Sequence, residues 1–261
     1  VDIAVLEVGM GGRLDATNIV QPVLSIITDV SLDHQEYLGN TITQIAREKA
    51  GTLRAAGNLI VLPQHPEANQ AIGEIAIDLN VRAVSAVPYL PTPQALAADG
   101  ICDDLNSETV GFSLGAASDP EAEGAVASGE SLPWAALVPQ NRYTLHIDGE
   151  PLRVCSPLVG EHQRRNIALA IAAALELGNS FRHVRSVKAP PLPPTAYQIP
   201  LYAIERGIAN TSWPGRLEFI SPNLLLDVAH NPAGAWALRA AISALPDDQP
   251  RTLIFSCLRD K

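Results

Sequence analysis

Short apolar runs alternate with stretches of helical periodicity along the first third of the chain. Runs of this length, rich in Val, Ile and Leu, are typical of strands buried on both faces of a parallel sheet. The predicted elements are, in order, strand 2–8, strand 22–30, helix 41–51, strand 58–63, helix 66–80 and strand 81–87. Their alternation predicts an α/β fold with a doubly wound, mostly parallel sheet.

The ends of the two predicted helices carry the expected signals. Thr41 is a suitable N-cap for the first helix, and Gly51 is a suitable residue to end it. Pro66 stands near the first position of the second helix, where its missing N–H is not needed. These residues predict where the two helices begin and where the first one ends.

The middle of the chain has a different character. Residues 88–135 are rich in Ala, Gly, Ser, Pro and acids, with few large apolar residues, which predicts a long, partly disordered loop or insertion. Three further elements are predicted after it: a hairpin over 142–154 that turns at Asp148 and Gly149, a helix over 161–178 ended by Gly178, and a proline-rich extended loop over 188–200.

The α/β pattern restarts near residue 214. A strand is predicted over 223–229, a helix over 231–245 opened by Pro232, and a further strand over 252–258. The pattern therefore predicts a second α/β domain, of which this chain holds only the first strand, helix and strand. The predicted boundary divides the chain into residues 1–212 and 213–261.

Composition narrows the class of protein. The 261 residues, 47% hydrophobic and 18% charged, suit one large or two modest domains. The longest apolar runs are strand-length, so no membrane-spanning segment is expected. Three cysteines without a CxxC pair argue against a disulfide framework or a zinc knuckle and favour a cytoplasmic protein. Val1 lies inside an apolar run, so the chain is expected to begin within a fold.

The net charge of −10 is unevenly distributed. No Lys or Arg lies between Arg82 and Arg142, and most of the excess negative charge comes from the acids of this segment. These eight acids are Asp99, Asp103, Asp104, Glu108, Asp119, Glu121, Glu123 and Glu130. The rest of the chain is close to balanced, so it can hold a phosphate ligand, whereas a nucleic-acid partner is not expected.

The stretch "EVGMGGRLDATN" (7–18) combines a predicted strand end with three glycines. Its spacing fits neither GxxxxGK[ST] nor GxGxxG, so it is not a phosphate-binding loop of either type. Glu7 stands at the carboxyl end of the predicted strand, where ligand sites of α/β proteins lie. A buried glutamate needs a metal or a partner, and an ion pair with Arg13 is the structural alternative.

Two further stretches carry candidate chemistry in the first domain. Asp33 and His34 in "TDVSLDHQEYLG" follow the second predicted strand, and oxygen ligands with an imidazole suit Mg²⁺ beside phosphates. The structural alternative is that Asp33 caps a turn and His34 is an ordinary surface histidine. Lys49 in "IAREKAG" lies near a helix end, where a lysine is normally a solvated partner of the helix dipole, a role that Arg47 can also fill.

A fourth stretch, "DVAHNPAG" (227–234), lies at the start of the second domain. Asp227 ends a predicted strand, and His230 and Asn231 lead into the helix. Free backbone N–H groups at that helix N-terminus can hold an anion beside His230. The alternative is that Asn231 is only an N-cap.

Five motifs, taken in order, resemble those of folylpolyglutamate synthases and bifunctional dihydrofolate synthases, members of the Mur ligase superfamily. They are "EVGMGGRLDATN", "DHQEYLGNTITQIAREKAG", "GEHQRRNIALA", "WPGRLE" and "DVAHNPAG". The resemblance covers most of 1–84 and 142–261, and the acidic insertion falls outside it. It identifies 1–212 as a central ATP-binding ligase domain and 213–261 as the beginning of a C-terminal ligase domain.

The resemblance also implies roles for individual residues. Glu7, His34 and Lys49 match metal-binding positions, and Lys49 matches a lysine that the family carbamylates, which would turn a cation into a carboxylate. The positions that match nucleotide contacts are Asn166 on the adenine side, Arg216 on phosphate, Asp227 on the ribose and His230 on phosphate. Lys49 and His230 are thereby the candidate catalytic residues.

The implied activity is ATP-dependent ligation of L-glutamate to folate, with dihydropteroate as a further substrate in bifunctional enzymes. The cofactors would be ATP and Mg²⁺, and the protein would be a cytoplasmic monomer with no nucleic-acid or membrane partner. The alternative is another Mur-type amide ligase, of the peptidoglycan-precursor or cyanophycin kind. The pairing of "GGRLDATN" with "DHQEYLG" favours the folate branch.

Some features depart from the family pattern. The GTNGKGS-type phosphate-binding loop and the pterin-facing segment do not occur in this chain, and the C-terminal domain stops early. The chain is therefore expected to be a fragment that is inactive alone. Val228 stands where the family usually has glycine, and a β-branched residue there would resist a positive φ.

Overall fold

The computed structural model describes residues 3–97, 140–181, 199–221, 224–243 and 251–257. Its helices are α1 (Gln35–Leu38), α2 (Ile42–Ala50), α3 (Pro66–Asp78), α4 (Pro93–Ala97), α5 (Glu161–Phe181), α6 (Leu201–Ala209) and α7 (Pro232–Ile242). Its strands are β1 (Ser25–Ile27), β2 (Asn58–Val61), β3 (Arg82–Ser85), β4 (Asn141–Ile147), β5 (Glu150–Ser156), β6 (Glu218–Ser221) and β7 (Leu224–Leu226).

The first unit is built on a parallel sheet with the strand order β1-β2-β3. Side chains alternate along β2, so that Leu59 points to one face and Ile60 to the other. Leu59 packs with residues of α2 and α3, whereas Ile60 packs with Ala168 and Leu169 of α5. Helices therefore cover both faces of the sheet, which confirms the predicted doubly wound α/β fold.

The predicted helix ends are largely correct. The Thr41 hydroxyl accepts a hydrogen bond from the Gln44 amide at 3.2 Å, and α2 ends where Gly51 follows it. Ile45 and Ala46 on the inner face of α2 are fully buried. Pro66 is the first residue of α3, as predicted.

The hairpin of β4 and β5 packs against α5 and α6 as a separate small layer. Its turn is at Asp148 and Gly149, both with positive φ (52° and 87°), a conformation that Asp-Gly favours. Leu152 and Val154 of β5 are fully buried against Ile171 of α5. The predicted hairpin is therefore confirmed.

Two predicted strands are wrong. Residues 3–8 and 251–257 form no strand, and their apolar side chains are open, with Val5 90% and Ile254 94% exposed. An apolar run becomes a strand only when a neighbouring strand accepts its backbone hydrogen bonds. In the described part of the chain, neither segment has such a neighbour.

Other boundaries differ from the sequence pattern. Gly178 does not end α5, which continues to Phe181, because one glycine weakens a helix by only about 1 kcal/mol. β7 is shorter than predicted and pairs antiparallel with β6, a strand that the pattern did not predict. Helix α6 was not predicted either.

Several predictions fall partly or wholly outside the described residues. Most of the acidic insertion (88–135) and most of the proline-rich stretch (188–200) are among them. The start of the insertion is not a simple loop, since it holds a 3-10 turn over Val87–Tyr89 and then α4. Cys102 lies outside the described residues, and Cys257 is free and exposed.

None of the described helices has both the length and the apolar character needed to cross a membrane.

Candidate active site

The loops that follow β1 and β2 are tied together at the carboxyl edge of the sheet. The Gln64 side chain accepts a hydrogen bond from the Val30 amide at 2.6 Å and donates one to the Thr28 carbonyl at 3.3 Å. Arg165 of α5 binds both oxygens of Asp29 at 2.5 Å and donates to the Pro63 carbonyl at 2.8 Å. This edge is where ligand sites form in open α/β sheets.

Asp33 is the centre of a polar cluster at this edge. One carboxylate oxygen, Oδ1, accepts a hydrogen bond from the His34 amide at 2.9 Å. The other, Oδ2, accepts one from the Asn231 side chain at 2.9 Å and lies 3.7 Å from His230 Nε2 and 4.0 Å from His34 Nε2. Asp33 therefore does more than cap a turn, because it joins residues that are almost 200 positions apart in the chain.

The His230 ring is held by a second contact. Its Nδ1 lies 2.8 Å from the Val228 carbonyl, and since a carbonyl oxygen only accepts, we assign the proton to Nδ1. Nε2 then faces the Asp33 carboxylate. The arrangement places His34 and His230, one from each predicted domain, around the same carboxylate.

Lys49 differs from the other cations of α2. Burial lowers the pKa of its ammonium group, and the nearby Asp33 carboxylate only partly opposes this shift. Arg47, in contrast, makes an exposed ion pair with Glu74 at 2.5 Å. A lowered pKa favours the neutral amine, which is the form that reacts with carbon dioxide to give a carbamate. The environment is therefore consistent with the role implied for Lys49.

Glu7 does not join this cluster. It lies in the exposed segment before the glycine turn, and in the described part of the chain it makes no hydrogen bond or ion pair. The alternative pair with Arg13 is not observed either, since Arg13 binds Glu48 at 3.0 Å. The predicted metal ligands are brought together only in part: Lys49 and His34 share Asp33, and Glu7 stands apart.

Mg²⁺ requires several oxygen ligands. Asp33 supplies oxygens and His34 an imidazole, but an uncarbamylated Lys49 supplies no ligand. Within the described ranges, no group of three or more His, Cys, Asp or Glu residues is arranged to hold a metal. The metal-binding roles of Glu7, His34 and Lys49 remain predictions.

The glycine turn itself is organised by Asp15. The Asp15 carboxylate accepts hydrogen bonds from the Gly9 and Met10 amides and from the amide and hydroxyl of Thr17. Gly12 has a positive φ, and a Cβ there would lie 2.9 Å from the Glu48 carbonyl, so a larger residue does not fit. The turn thus packs closely on the end of α2.

We expect the Asp15 carboxyl to titrate at low pH. The Thr17 hydroxyl, more than any other group, lowers its pKa from 3.8 to about 2. A lowered pKa stabilises the folded turn above about pH 4, and this contribution is lost as the pH falls towards 2. An NMR titration of the Asp15 carboxyl carbon would measure the midpoint. Thr17→Val is expected to raise it, and a wild-type midpoint near 3.8 would contradict the observed contacts.

A second cluster surrounds Arg216 in "PGRLE". The Asp227 carboxylate accepts hydrogen bonds from the Leu217 amide at 3.0 Å and the Ala229 amide at 2.8 Å. Leu217 is buried and has a φ of 50°, in the left-handed region. Asp227 therefore stabilises an uncommon backbone conformation at the residue directly after Arg216. Arg216 itself is exposed.

Val228 fits without the expected strain. It is not among the residues with positive φ, and its amide donates to the Gly215 carbonyl at 2.9 Å. A Cβ on Gly215 would lie 2.7 Å from Val228 Cγ1, so the valine side chain occupies the space that this glycine leaves open. The expectation that a valine disturbs the local geometry is therefore wrong.

The N-terminus of α5 completes the second cluster. His162 is half-buried, and burial lowers the pKa of its imidazole, while Asp227 acts to raise it and Arg216 to lower it. Asn166 lies one turn further along and donates to the Gln163 side chain at 3.0 Å. His162 and Gln163 were not predicted as site residues, although the motif "GEHQRRN" contains both.

No sequence-family model matches the chain. Curated relatives do match it over its whole length. A folylpolyglutamate synthase of Lacticaseibacillus casei is 33% identical over 269 residues, which cover 100% of this chain and 49% of the relative. A dihydrofolate synthase/folylpolyglutamate synthase of Bacillus subtilis is 30% identical over 264 residues, again covering 100% and 49%. The chain thus spans about half the length of these relatives.

Solved structures give the same result. The apo form of a folylpolyglutamate synthase (FPGS) of L. casei has a TM-score of 0.64 and 28% identity, and the match covers 96% of this chain and 48% of that one. An FPGS–AMPPCP–folate complex has a TM-score of 0.66 and 28% identity, with coverage of 95% and 48%.

Proposed function

Because the chain is homologous over its full length to folylpolyglutamate and dihydrofolate synthases, we propose that it is part of an ATP-dependent ligase that joins L-glutamate to folate. Homology along the whole chain carries this proposal. The contacts of Asp33 with His34, His230 and Asn231 support it, because two of the residues implied for metal and phosphate chemistry lie around one carboxylate.

The proposed reaction has two steps. A carboxylate oxygen of the folate attacks the γ-phosphorus of ATP, and the bond to the leaving ADP breaks. The acyl phosphate that forms is then attacked by the amine of glutamate, which loses a proton as phosphate leaves. Dihydropteroate is a second acceptor if the enzyme is bifunctional.

The Arg216 cluster suits the nucleotide. Arg216 provides an exposed cation for phosphate oxygens, and His230, directly before the N-cap of α7, would add an imidazole from the side of Asp33. Asp227 uses its carboxylate for two backbone amides, but each oxygen can accept more than one hydrogen bond, so a ribose hydroxyl is compatible with these contacts. The Asn166 side chain, already bonded to Gln163, is the proposed contact on the adenine side.

The Asp33 cluster suits the transferred phosphoryl group. Bound Mg²⁺ would neutralise charge that develops on the phosphoryl oxygens. His34, carbamylated Lys49 and Glu7 are the residues proposed to hold it, and Glu7 would have to approach the cluster from its exposed position. Asp33 itself keeps His34 and His230 on one side of the site.

The proposal also covers the domain organisation, oligomeric state and location of the enzyme. We propose that residues 1–212 belong to the ATP-binding domain and 213–261 to the C-terminal domain, and that the enzyme is a cytoplasmic monomer. A Mur-type ligase of the peptidoglycan-precursor or cyanophycin kind is not favoured, because the matching relatives and complexes are named for folate.

The test is a coupled assay of the longest reading frame that contains this chain. We expect ADP and phosphate to form only when L-glutamate and either folate or dihydropteroate are both present. Matched reactions replace the folate with a UDP-sugar peptide, or replace glutamate with aspartate. Product formation that depends on the UDP-sugar peptide would overturn the folate assignment and leave the Mur-type alternative.

A further inference from the structure

We propose that Asn231 is a positioning residue that holds the second unit (residues 213–243) against the carboxyl edge of the first sheet through Asp33. The link between Asn231 and Asp33 sets the distance between His230 and the Asp33 carboxylate. The catalytic consequence rests on the proposed function, whereas the link itself does not.

The Asn231 side chain uses both ends of its amide. Its Oδ1 accepts a hydrogen bond from the Gly234 amide at 2.8 Å and so caps α7, while its Nδ2 donates to Asp33 Oδ2 at 2.9 Å. A carboxamide is planar, so fixing the oxygen on the helix also fixes the direction of the NH₂ group. Aspartate would cap the helix equally well but has no hydrogen to donate.

The link between Asn231 and Asp33 can fix the orientation of the second unit relative to the first sheet. Val159, Leu217 and Ala241 form a small apolar cluster that packs the second unit on the start of α5. The bond from Asn231 to Asp33 adds a polar contact between this unit and residues 3–97. An apolar contact allows sliding, and the hydrogen bond adds a directional constraint at a second point.

His230 depends on this constraint. It directly precedes Asn231, and its ring is anchored to the Val228 carbonyl, so its Nε2 moves with the start of α7. In the structure, His230 Nε2 lies 3.7 Å from Asp33 Oδ2. A shift of about 1 Å in a positioned group can change a rate by about 100-fold. Losing the link therefore affects turnover even though Asn231 need not touch a substrate.

Asn231→Asp separates the link from the cap. The variant keeps the cap oxygen but presents a carboxylate to Asp33, so the link breaks and the two groups repel each other. Asn231→Ala removes both functions. Asn40→Asp is the matched control, because it adds the same charge at an exposed position that contributes neither to the link nor to the cap.

Amide hydrogen exchange by mass spectrometry reports on the link without requiring activity. In Asn231→Asp we expect faster exchange in peptides covering both 28–38 and 229–242, with little change in Asn40→Asp. If Asn231 only caps the helix, Asn231→Asp, which keeps the cap, would leave exchange over 28–38 unchanged, and that result would overturn the proposal.

A double variant in which the two side chains are swapped distinguishes loss of the link from a simple folding defect. Asp33→Asn combined with Asn231→Asp restores a donor facing an acceptor, and we expect protection over 28–38 to return. Persistent fast exchange in this double variant would count against the link.

The kinetic test of the proposal uses the protein encoded by the longest reading frame that contains this chain. Asn231→Asp is expected to lower kcat by about 10- to 100-fold, with a smaller change in the KM for ATP. A wild-type kcat in a variant whose exchange has changed would overturn the positioning role. If the wild-type protein shows no ligase activity while the exchange pattern holds, the proposed function fails and the link stands.

Discussion

Lys49→Ala is expected to lower the rate of ADP formation by at least about 100-fold, the size of effect seen when a charge-stabilising group is removed from an active site. Burial already lowers the pKa of the Lys49 ammonium group, which favours the neutral amine needed for carbamylation. Alanine removes the amine and with it the proposed carboxylate. The measurement is steady-state ADP release at saturating ATP, folate and glutamate.

Rescue distinguishes a carbamate from an ordinary lysine. If Lys49 acts as a carboxylate, formate or acetate should occupy the space left in Lys49→Ala and restore part of the rate, while methylammonium should not. Arg47→Ala is the control, because it removes a cation from the same helix but breaks only an exposed ion pair with Glu74. Rescue by methylammonium alone would show that Lys49 works as a cation.

Arg216→Ala is expected to raise the KM for ATP by about 10- to 100-fold, since a hydrogen bond to a charged group contributes about 1.5–3 kcal/mol. The effect on kcat should be smaller if Arg216 binds the phosphates equally in the ground state and the transition state. Arg216→Lys should recover only part of the loss, because lysine cannot reproduce the planar fork of guanidinium donors.

The control for Arg216 is another arginine of the second unit. Arg239 of α7 is exposed and lies 5.2 Å from the centre of the Trp236 ring, and Arg239→Ala should change the KM for ATP by less than about twofold. If both alanine variants raise the KM for ATP equally, the weaker binding results from the loss of one positive charge anywhere on this unit. The specific contact of Arg216 with phosphate would then be refuted.

Local signals in the sequence predicted local structure well. Thr41 predicted the start of α2 because a hydroxyl cap needs only the next turn of the helix. Asp148 and Gly149 predicted the β4–β5 turn because both residues tolerate positive φ. In these cases the residues that determine the conformation lie within a few positions of one another.

Features that depend on distant partners were not predictable in this way. The run at 3–8 has the composition of a strand, but composition does not supply a neighbouring strand to accept its hydrogen bonds. The link between Asp33 and Asn231 was also missed, because it joins residues 198 positions apart and each residue has an ordinary local explanation as a cap. Resemblance to known enzymes nominated His230, but the contact of its ring with Asp33 emerged only from the fold.

The buried, left-handed Leu217 limits where the chain can bend. A leucine in this conformation costs about 1–2 kcal/mol, and here the Asp227 carboxylate and the surrounding apolar side chains hold it in place. The backbone bend at residues 215–217 is therefore expected to be rigid. If the second unit moves relative to the first sheet during turnover, the bending residues have to lie elsewhere, and the largely exposed stretch at 210–214 just before this bend is the nearest place for them.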